Sequence, residues 1–254
     1  MLVFLSCREK NPGTKKEKES SPNNTLASVD PGLPDSVREG NILILIDQSK
    51  YIDAIDQADI LLKKNPEHPA WLYLKANALE YLGDTSLAID IYEKAIHSAG
   101  SFTEAAGHLA NLYAEKADAR SIPICESLLK DPTAVNRRSD ILLIKSIYFQ
   151  RSGKKDQAIE QLNQIIREDY TYLDAYIEKG LLLFDQHQYQ EAWKVFEKST
   201  SVKNSFADGY FWMARCEEKM NQKVAAIDNY KRALALDTGF TEARIELKRL
   251  GSLQ

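Results

Sequence analysis

The chain has 254 residues, 44% of them hydrophobic and 28% charged, with 33 Lys and Arg against 37 Asp and Glu for a formal net charge of −4. A balance this close to neutral leaves no general basic footprint for nucleic acid. No run of roughly 18 apolar residues occurs, so nothing in the sequence reads as a helix that spans a bilayer.

The chain opens on a short apolar run, MLVFLSC, and turns at once to REKNPGTKKEKESSPNNT. Residues 8–34 are rich in Lys, Glu, Ser, Asn, Pro and Gly. Such a segment cannot bury enough surface to offset its ordering entropy, so it is expected to be disordered. Phe4, Leu5, Ser6 and Cys7 read FLSC, which resembles a bacterial lipobox. The resemblance implies cleavage before Cys7 and a diacylglyceryl group on its thiol. Phe4 departs from the commoner Leu. Only LVFLS follows Met1, whereas a signal peptide carries a basic n-region and about 7–15 apolar residues; residues 1–7 then read as a truncated signal. The resemblance implies attachment to a membrane through the lipid alone, with residues 8–34 as a flexible tether. Arg8 stands where Asp would signal inner-membrane retention in some lineages, so the implied place is the outer membrane of a Gram-negative envelope. An accidental match would leave a cytoplasmic protein.

From Asp35 the chain repeats with a period of 34 residues. Units cover residues 35–68, 69–102, 103–138, 139–172, 173–206 and 207–240, and residues 241–250 match only the start of another. Position 20 of the unit is Ala54, Ala88, Ala158, Ala192 and Ala226. Position 24 is large and apolar at Tyr92, Leu162, Phe196 and Tyr230. Position 8 is small at Ala76, Ala110, Ser146, Gly180 and Ala214. Gly83 and Gly153 stand at position 15, between two helical patterns. The stretches WLYLKANALEYLGDTSLAIDIYEKAI and AYIEKGLLLFDQHQYQEAWKVFEKS resemble the tetratricopeptide repeat family. The resemblance implies an all-α fold, a right-handed superhelix of six helix-turn-helix repeats with a C-terminal capping helix.

Helix A of each unit, over positions 1–14, divides into faces at about 100° per residue. Positions 4, 8 and 11 meet helix B of the same unit, with the small residues at 8 and 20 allowing close approach, so that Ala192 is expected opposite Gly180. Positions 3, 7, 10 and 14 meet the neighbouring repeat. Positions 2, 5, 9, 12 and 13 are left to line an inner, concave surface. The segment ILILI (Ile42–Ile46) looks like a strand by composition, but the register makes it helical. In the third unit Ile122 falls at position 20 and Pro123 follows, which is tolerated only in a first turn. Ser121 is therefore expected to cap a short helix ending near Lys130, followed by a loop over 131–139.

The leftover face supplies the candidate binding groove: Tyr73, Asn77, Tyr81, Asn111, Leu143, Ile147, Arg151, Ile177, Leu181, Phe184, Phe211 and Arg215. Apolar residues from units four to six would form one exposed patch of the kind that marks binding sites, flanked by Arg151 and Arg215. Asn77 and Asn111 suggest a carboxylate clamp, but Tyr73 and Gly107 stand where it needs Lys. Asp140, Asp174 and Asp208 recur at position 2 and read first as carboxylates placed by the helix dipole. His68, His97, His108 and His187 make no metal-ligand spacing, and no Walker loop or GxSxG elbow occurs. Cys125 and Cys216 are expected to be buried thiols rather than a disulfide. The expected function is non-enzymatic: a scaffold or assembly factor that binds a peptide or helix of a protein partner, with no cofactor, metal, nucleic acid or small-molecule substrate. In architecture and length the chain resembles the type IV pilotins, lipoproteins of six such units that help secretin rings assemble. The competing readings are a cytoplasmic adaptor or regulatory subunit, and an enzyme whose site forms only in space.

Overall fold

A computed structural model describes residues 34–252, so Cys7 and residues 8–33 lie outside the described part. Helical hairpins follow one another: α1 (Asp35–Asp47) with α2 (Tyr51–Leu62), α3 (Pro69–Leu82) with α4 (Thr85–Ala99), and α5 (Thr103–Glu115) with α6 (Ser121–Lys130). A 3₁₀ helix (Pro132–Arg137) leads into α7 (Arg138–Arg151) with α8 (Lys155–Glu168), α9 (Leu173–Asp185) with α10 (Tyr189–Val202), and α11 (Ala207–Lys219) with α12 (Lys223–Leu236). The last helix is α13 (Thr241–Arg249). The chain divides into two compact units, one ending at Ala105 and the other beginning at Ala106.

Every hairpin turns by the same device. The residue at position 15 takes positive φ in all six: Ser49, Gly83, Ala117, Gly153, His187 and Asn221. The next residue's N–H then reaches back over the helix end, as from Asp84 to the Leu79 carbonyl (3.0 Å) and from Lys154 to the Phe149 carbonyl (2.8 Å). This Schellman geometry satisfies carbonyls that the helix end would otherwise orphan. Glycine fits the left-handed position without strain, and here only two of the six turns have it. Between hairpins, Asp169 Oδ1 accepts from the Thr171 N–H (3.0 Å) and hydroxyl (2.6 Å), and Asp237 Oδ1 accepts from the Gly239 N–H (2.8 Å).

The core follows the repeat. Ala54, Ala88, Ala158, Ala192 and Ala226 are fully buried, and so are Tyr92, Leu162, Phe196 and Tyr230. Helix A comes close to helix B at Gly180 in the fifth hairpin. A Cβ on Gly180 would lie 2.3 Å from Phe196 Cε1, so the ring at position 24 packs directly on position 8 there. In the third hairpin Ser121 is not a cap. It sits in the first turn of α6, buried, and its Oγ donates to the Ala110 carbonyl at 2.9 Å. Ser121 and Cys125 thereby take the places of the small and large residues at positions 20 and 24, one residue earlier than the period puts them. Residues 132–137 are not a loop but the 3₁₀ helix, opened by Asp131, whose Oδ1 accepts from the Thr133 N–H at 2.8 Å.

Stacking between hairpins uses the expected face of helix A. Lys75 Nζ, at position 7, reaches Asp59 Oδ1 on α2 at 2.6 Å. A Cβ on Gly209, at position 3, would meet Ser199 Oγ and Thr200 Cγ2 of α10 at 2.7 Å. Glu217 is buried on α11 and ties three helices together: Oε1 accepts from Trp193 Nε1 of α10 and from Asn229 Nδ2 of α12, both at 2.9 Å. On the last helix, Glu246 accepts from Arg215 Nη1 (3.3 Å), and Arg249 pairs with Glu218.

Candidate functional site

Position 5 belongs to the core, not to a groove. Tyr73 packs its ring 6.0 Å from Tyr92 and 5.3 Å from Phe102; Phe211 packs 5.6 Å from Tyr230 and 5.0 Å from Phe240. In both hairpins the partners are positions 24 and 34, so a large side chain at position 5 closes its own repeat. Leu143, Ile177 and Phe211 are buried, which corrects the expectation that they line an open patch. Helical side chains lean toward the preceding turn, and that lean carries position 5 off the leftover face. Ile147 and Leu181, at position 9, are half-buried. Phe184, at position 12, is also half-buried and stands edge-on to Tyr189 (5.1 Å) and Trp212 (5.8 Å).

The two asparagines differ from a ligand clamp. Asn77 is buried beside the Tyr92 hydroxyl, which itself donates to Glu80 Oε2 at 2.8 Å. Burial, then the Glu80 carboxylate, holds the Tyr92 phenol far above its ordinary pKa, so it stays a donor. Asn111 Oδ1 is buried with no hydrogen-bond partner among the described residues. The basic pair is also engaged. Arg151 donates to Glu115 Oε2 through Nη2 at 2.7 Å. Arg215 pairs with Glu246 and lies 5.9 Å over the Trp212 ring.

On the leftover face, exposed apolar residues stand on α13, where Ile245 is 58% exposed, and in the first compact unit. Tyr81 is 45% exposed and Leu43 47% exposed. The Tyr81 ring stacks on Tyr51 with centroids 5.4 Å apart and planes within 7°. Partial burial and the neighbouring Glu80 carboxylate raise the Tyr81 pKa, so its phenol remains protonated and able to donate. Tyr51 was not singled out from the sequence; the signal lies in the period, because position 17 is aromatic at both Tyr51 and Tyr189, and both pack on helix A aromatics, Tyr51 face to face and Tyr189 edge-on.

Electrostatics mark a second feature in the other compact unit. Desolvation first, then the Asp140 and Asp208 carboxylates, raises the Asp174 pKa, although its side chain keeps contact with solvent. Tyr172 donates to Asp140 Oδ1 at 2.6 Å. Cys125 and Cys216 are buried free thiols, pushed up to about 11 and about 12 by burial, and are poor nucleophiles there. Among the described residues, no helix is long and apolar enough to cross a membrane, and no group of three or more His, Cys, Asp or Glu is placed to hold a metal ion.

The family model for the tetratricopeptide repeat matches residues 41–102 and 145–205. These segments are tetratricopeptide repeats. Solved structures similar to the chain are of the same kind. PilW, described as a widely conserved type IV pilus biogenesis factor, superposes with a TM-score of 0.70 at 17% identity, covering 84% of this chain and 97% of PilW. A tetratricopeptide repeat protein from Parabacteroides merdae gives 0.65 at 18% identity, over 87% and 86% of the two chains. PilF of Pseudomonas aeruginosa gives 0.60 at 16% identity, over 84% and 96%. Identities at this level establish the fold, an all-α solenoid of helical hairpins. A curated relative, a DnaJ homolog subfamily C member 7 homolog of Dictyostelium discoideum, is 20% identical over a 258-residue match that covers 93% of this chain. The chain spans about half the length of that relative, 48%. Tetratricopeptide repeats stack into extended surfaces rather than enclosed pockets.

Proposed function

We propose that this protein is a non-enzymatic scaffold or assembly factor of a bacterial envelope that binds a peptide or helix of a protein partner on the leftover face of its A helices. The observation that carries the reading is the exposed Tyr81–Tyr51 stack with Leu43 on the same face. Rigid aromatics bring contact area at small entropic cost, and Tyr is among the residues that dominate interface energetics. Half-buried Ile147, Leu181 and Phe184 offer a smaller apolar lining in the other compact unit. Residues 35–250 are the binding array in this reading, with the unit boundaries set by the period, residues 8–34 are its tether, and Cys7 carries the lipid. Attachment by two or more acyl chains would suffice, since each buried CH₂ contributes about 0.8 kcal/mol. The likeness to PilW, a pilus biogenesis factor by its description, supports an envelope role.

The test is capture of the partner with the full chain from its native cell, followed by affinity measurement. Tyr81→Ala should weaken binding with helicity unchanged. Binding that ignores Tyr81 would move the site elsewhere.

A further inference from the structure

The charge of the first compact unit is one-sided. Residues 34–105 carry twelve Asp and Glu against six Lys and Arg, whereas residues 106–252 carry 21 against 22. The leftover face concentrates the imbalance. Positions 2, 5, 9, 12 and 13 of α1 and α3 include Glu39, Asp47 and Glu80 and not one Lys or Arg. The same positions of α7, α11 and α13 supply Arg151, Arg215, Lys219 and Arg249. The helix ends add to the effect. A helix C-terminus is the negative end of the dipole and favours a cation in its last turn. α7, α11 and α13 have one there, but α1 and α3 have none, and Asp47 and Glu80 stand in those last turns instead. Lys50, at the N-cap of α2, is the nearest base in sequence, and no ion pair among the described residues joins it to Asp47.

We infer that the partner segment bound on this face is basic, and that one of its arginine or lysine side chains lies on the exposed Tyr81 ring with its charge toward Asp47. The inference rests on the groove reading proposed above and names the chemistry of the occupant. Tyr51 covers one face of the Tyr81 ring, with the planes within 7°, and Tyr81 is still 45% exposed, so the rest of the ring is open to a ligand. The face of an aromatic ring is the negative part of its quadrupole and attracts a cation. The charges that act on Tyr81 are those of Glu80 and Asp47, both carboxylates. A guanidinium suits such a place best, because it stacks flat on a ring while its N–H groups reach a carboxylate. Exposed Leu43, on the same face, leaves room for an apolar neighbour of that side chain. An acidic segment would instead meet like charge, which costs affinity and excludes such partners.

The experiment places a photo-crosslinking amino acid at Leu43 of the full chain in its native cell, with Val224, 76% exposed on α12, as the control position. Adducts are mapped to the residue, and a synthetic peptide of the mapped stretch is titrated against purified protein. The expected adduct is a segment of another polypeptide with an Arg or Lys within about one helical turn of the crosslinked residue. Tyr81→Phe, which keeps the ring, should bind the peptide within about twofold of wild type, and Tyr81→Leu, which keeps only apolar bulk, about fivefold more weakly. Asp47→Asn should also bind about fivefold more weakly at about 0.1 M salt, and the gap should close toward about 1 M, where the Debye length falls to about 3 Å. Changing the basic residue of the peptide to Gln should remove the difference between Tyr81→Phe and Tyr81→Leu. Circular dichroism checks that each variant keeps its helicity. A mapped segment without a base, equal binding by Tyr81→Phe and Tyr81→Leu, indifference to Asp47→Asn, or adducts to residues 1–33 or to a second copy would overturn the inference. If Tyr81→Ala alone still weakens binding, the groove reading survives that failure. No adduct, the same adduct from Val224, or full affinity in Tyr81→Ala would overturn the groove reading and this inference with it.

Discussion

Gly180→Ala tests the packing argument most sharply because two effects of known size oppose each other. In the middle of α9, alanine is favoured over glycine by about 1 kcal/mol of helix propensity. Against this, the new Cβ would lie 2.3 and 2.4 Å from two carbons of the Phe196 ring, and 2.9 Å from a third. Carbon atoms settle at about 3.5 Å or more, so the ring or the helix must shift by roughly 1 Å. Phe196 is fully buried and stacked 5.9 Å from Trp212, which leaves the ring little room to yield. Overpacking of a tight core costs about 1–3 kcal/mol, and a ring this confined puts the cost in the upper part of that range, about 2–3 kcal/mol, so a net loss of about 1–2 kcal/mol is expected. Gly107→Ala is the matched control. There the Cβ meets Arg137 Nη2 at 2.6 Å, the far end of a flexible side chain that can swing aside, so the variant should be neutral or slightly stabilised. Urea unfolding followed by circular dichroism reads both midpoints. Gly180→Ala as stable as wild type would mean that the helices are not held as close as described.

The turns give a second set of expectations: Ala117→Gly and His187→Gly should each stabilise by about 1 kcal/mol, since non-glycine residues held in left-handed backbone carry about 1–2 kcal/mol of strain, while Gly83→Ala and Gly153→Ala should destabilise by a similar amount. Thermal melts that rank these variants in any other order would contradict the common turn. The raised pKa of Asp174 sets a pH dependence: a carboxyl that binds its proton more readily folded than unfolded makes stability fall as pH rises from the unfolded value, about 3.9, through the folded one. Asp174→Asn should therefore be more stable than wild type at neutral pH, with the gap closing on acidification; a gap that widens in acid would refute the sign. Finally, protein expressed with its native upstream region should take up radioactive palmitate at Cys7, and equal labelling of Cys7→Ala would rule out the anchor.

The repeat made the fold legible because its signal is redundant. Small and large residues recur at positions 8, 20 and 24, and no single exception, such as Ile122, removes the phase. The exception hid a local shift, however. Pro123 told of a first turn, but only the Ser121 hydroxyl on the Ala110 carbonyl shows that the small residue had moved one place. The turns were half visible, since Gly83 and Gly153 announce positive φ whereas Ser49, Ala117, His187 and Asn221 adopt it under tertiary constraint. The site was less legible than the fold. A helical wheel assigns faces by angle, and it placed Leu143, Ile177 and Phe211 on the open side. Side-chain length and lean decide otherwise, because a large residue at position 5 reaches positions 24 and 34 of its own repeat. Arg151 and Arg215 looked like ligand-holding cations, and the sequence gives no sign that Glu115 and Glu246 face them.

The central claim, that the leftover face of the A helices is a protein-binding surface, is tested most directly by titrating the captured partner into the full chain and two variants. Tyr81→Ala removes the exposed member of the tyrosine stack, and Lys194→Ala trims an exposed residue of α10 that pairs with Glu191 on the same helix. An interface anchor truncated to alanine costs about 2 kcal/mol or more, roughly thirtyfold in affinity. The account predicts a loss of that order for Tyr81→Ala and none for Lys194→Ala, with both proteins fully helical. Equal affinity for the two variants would contradict it.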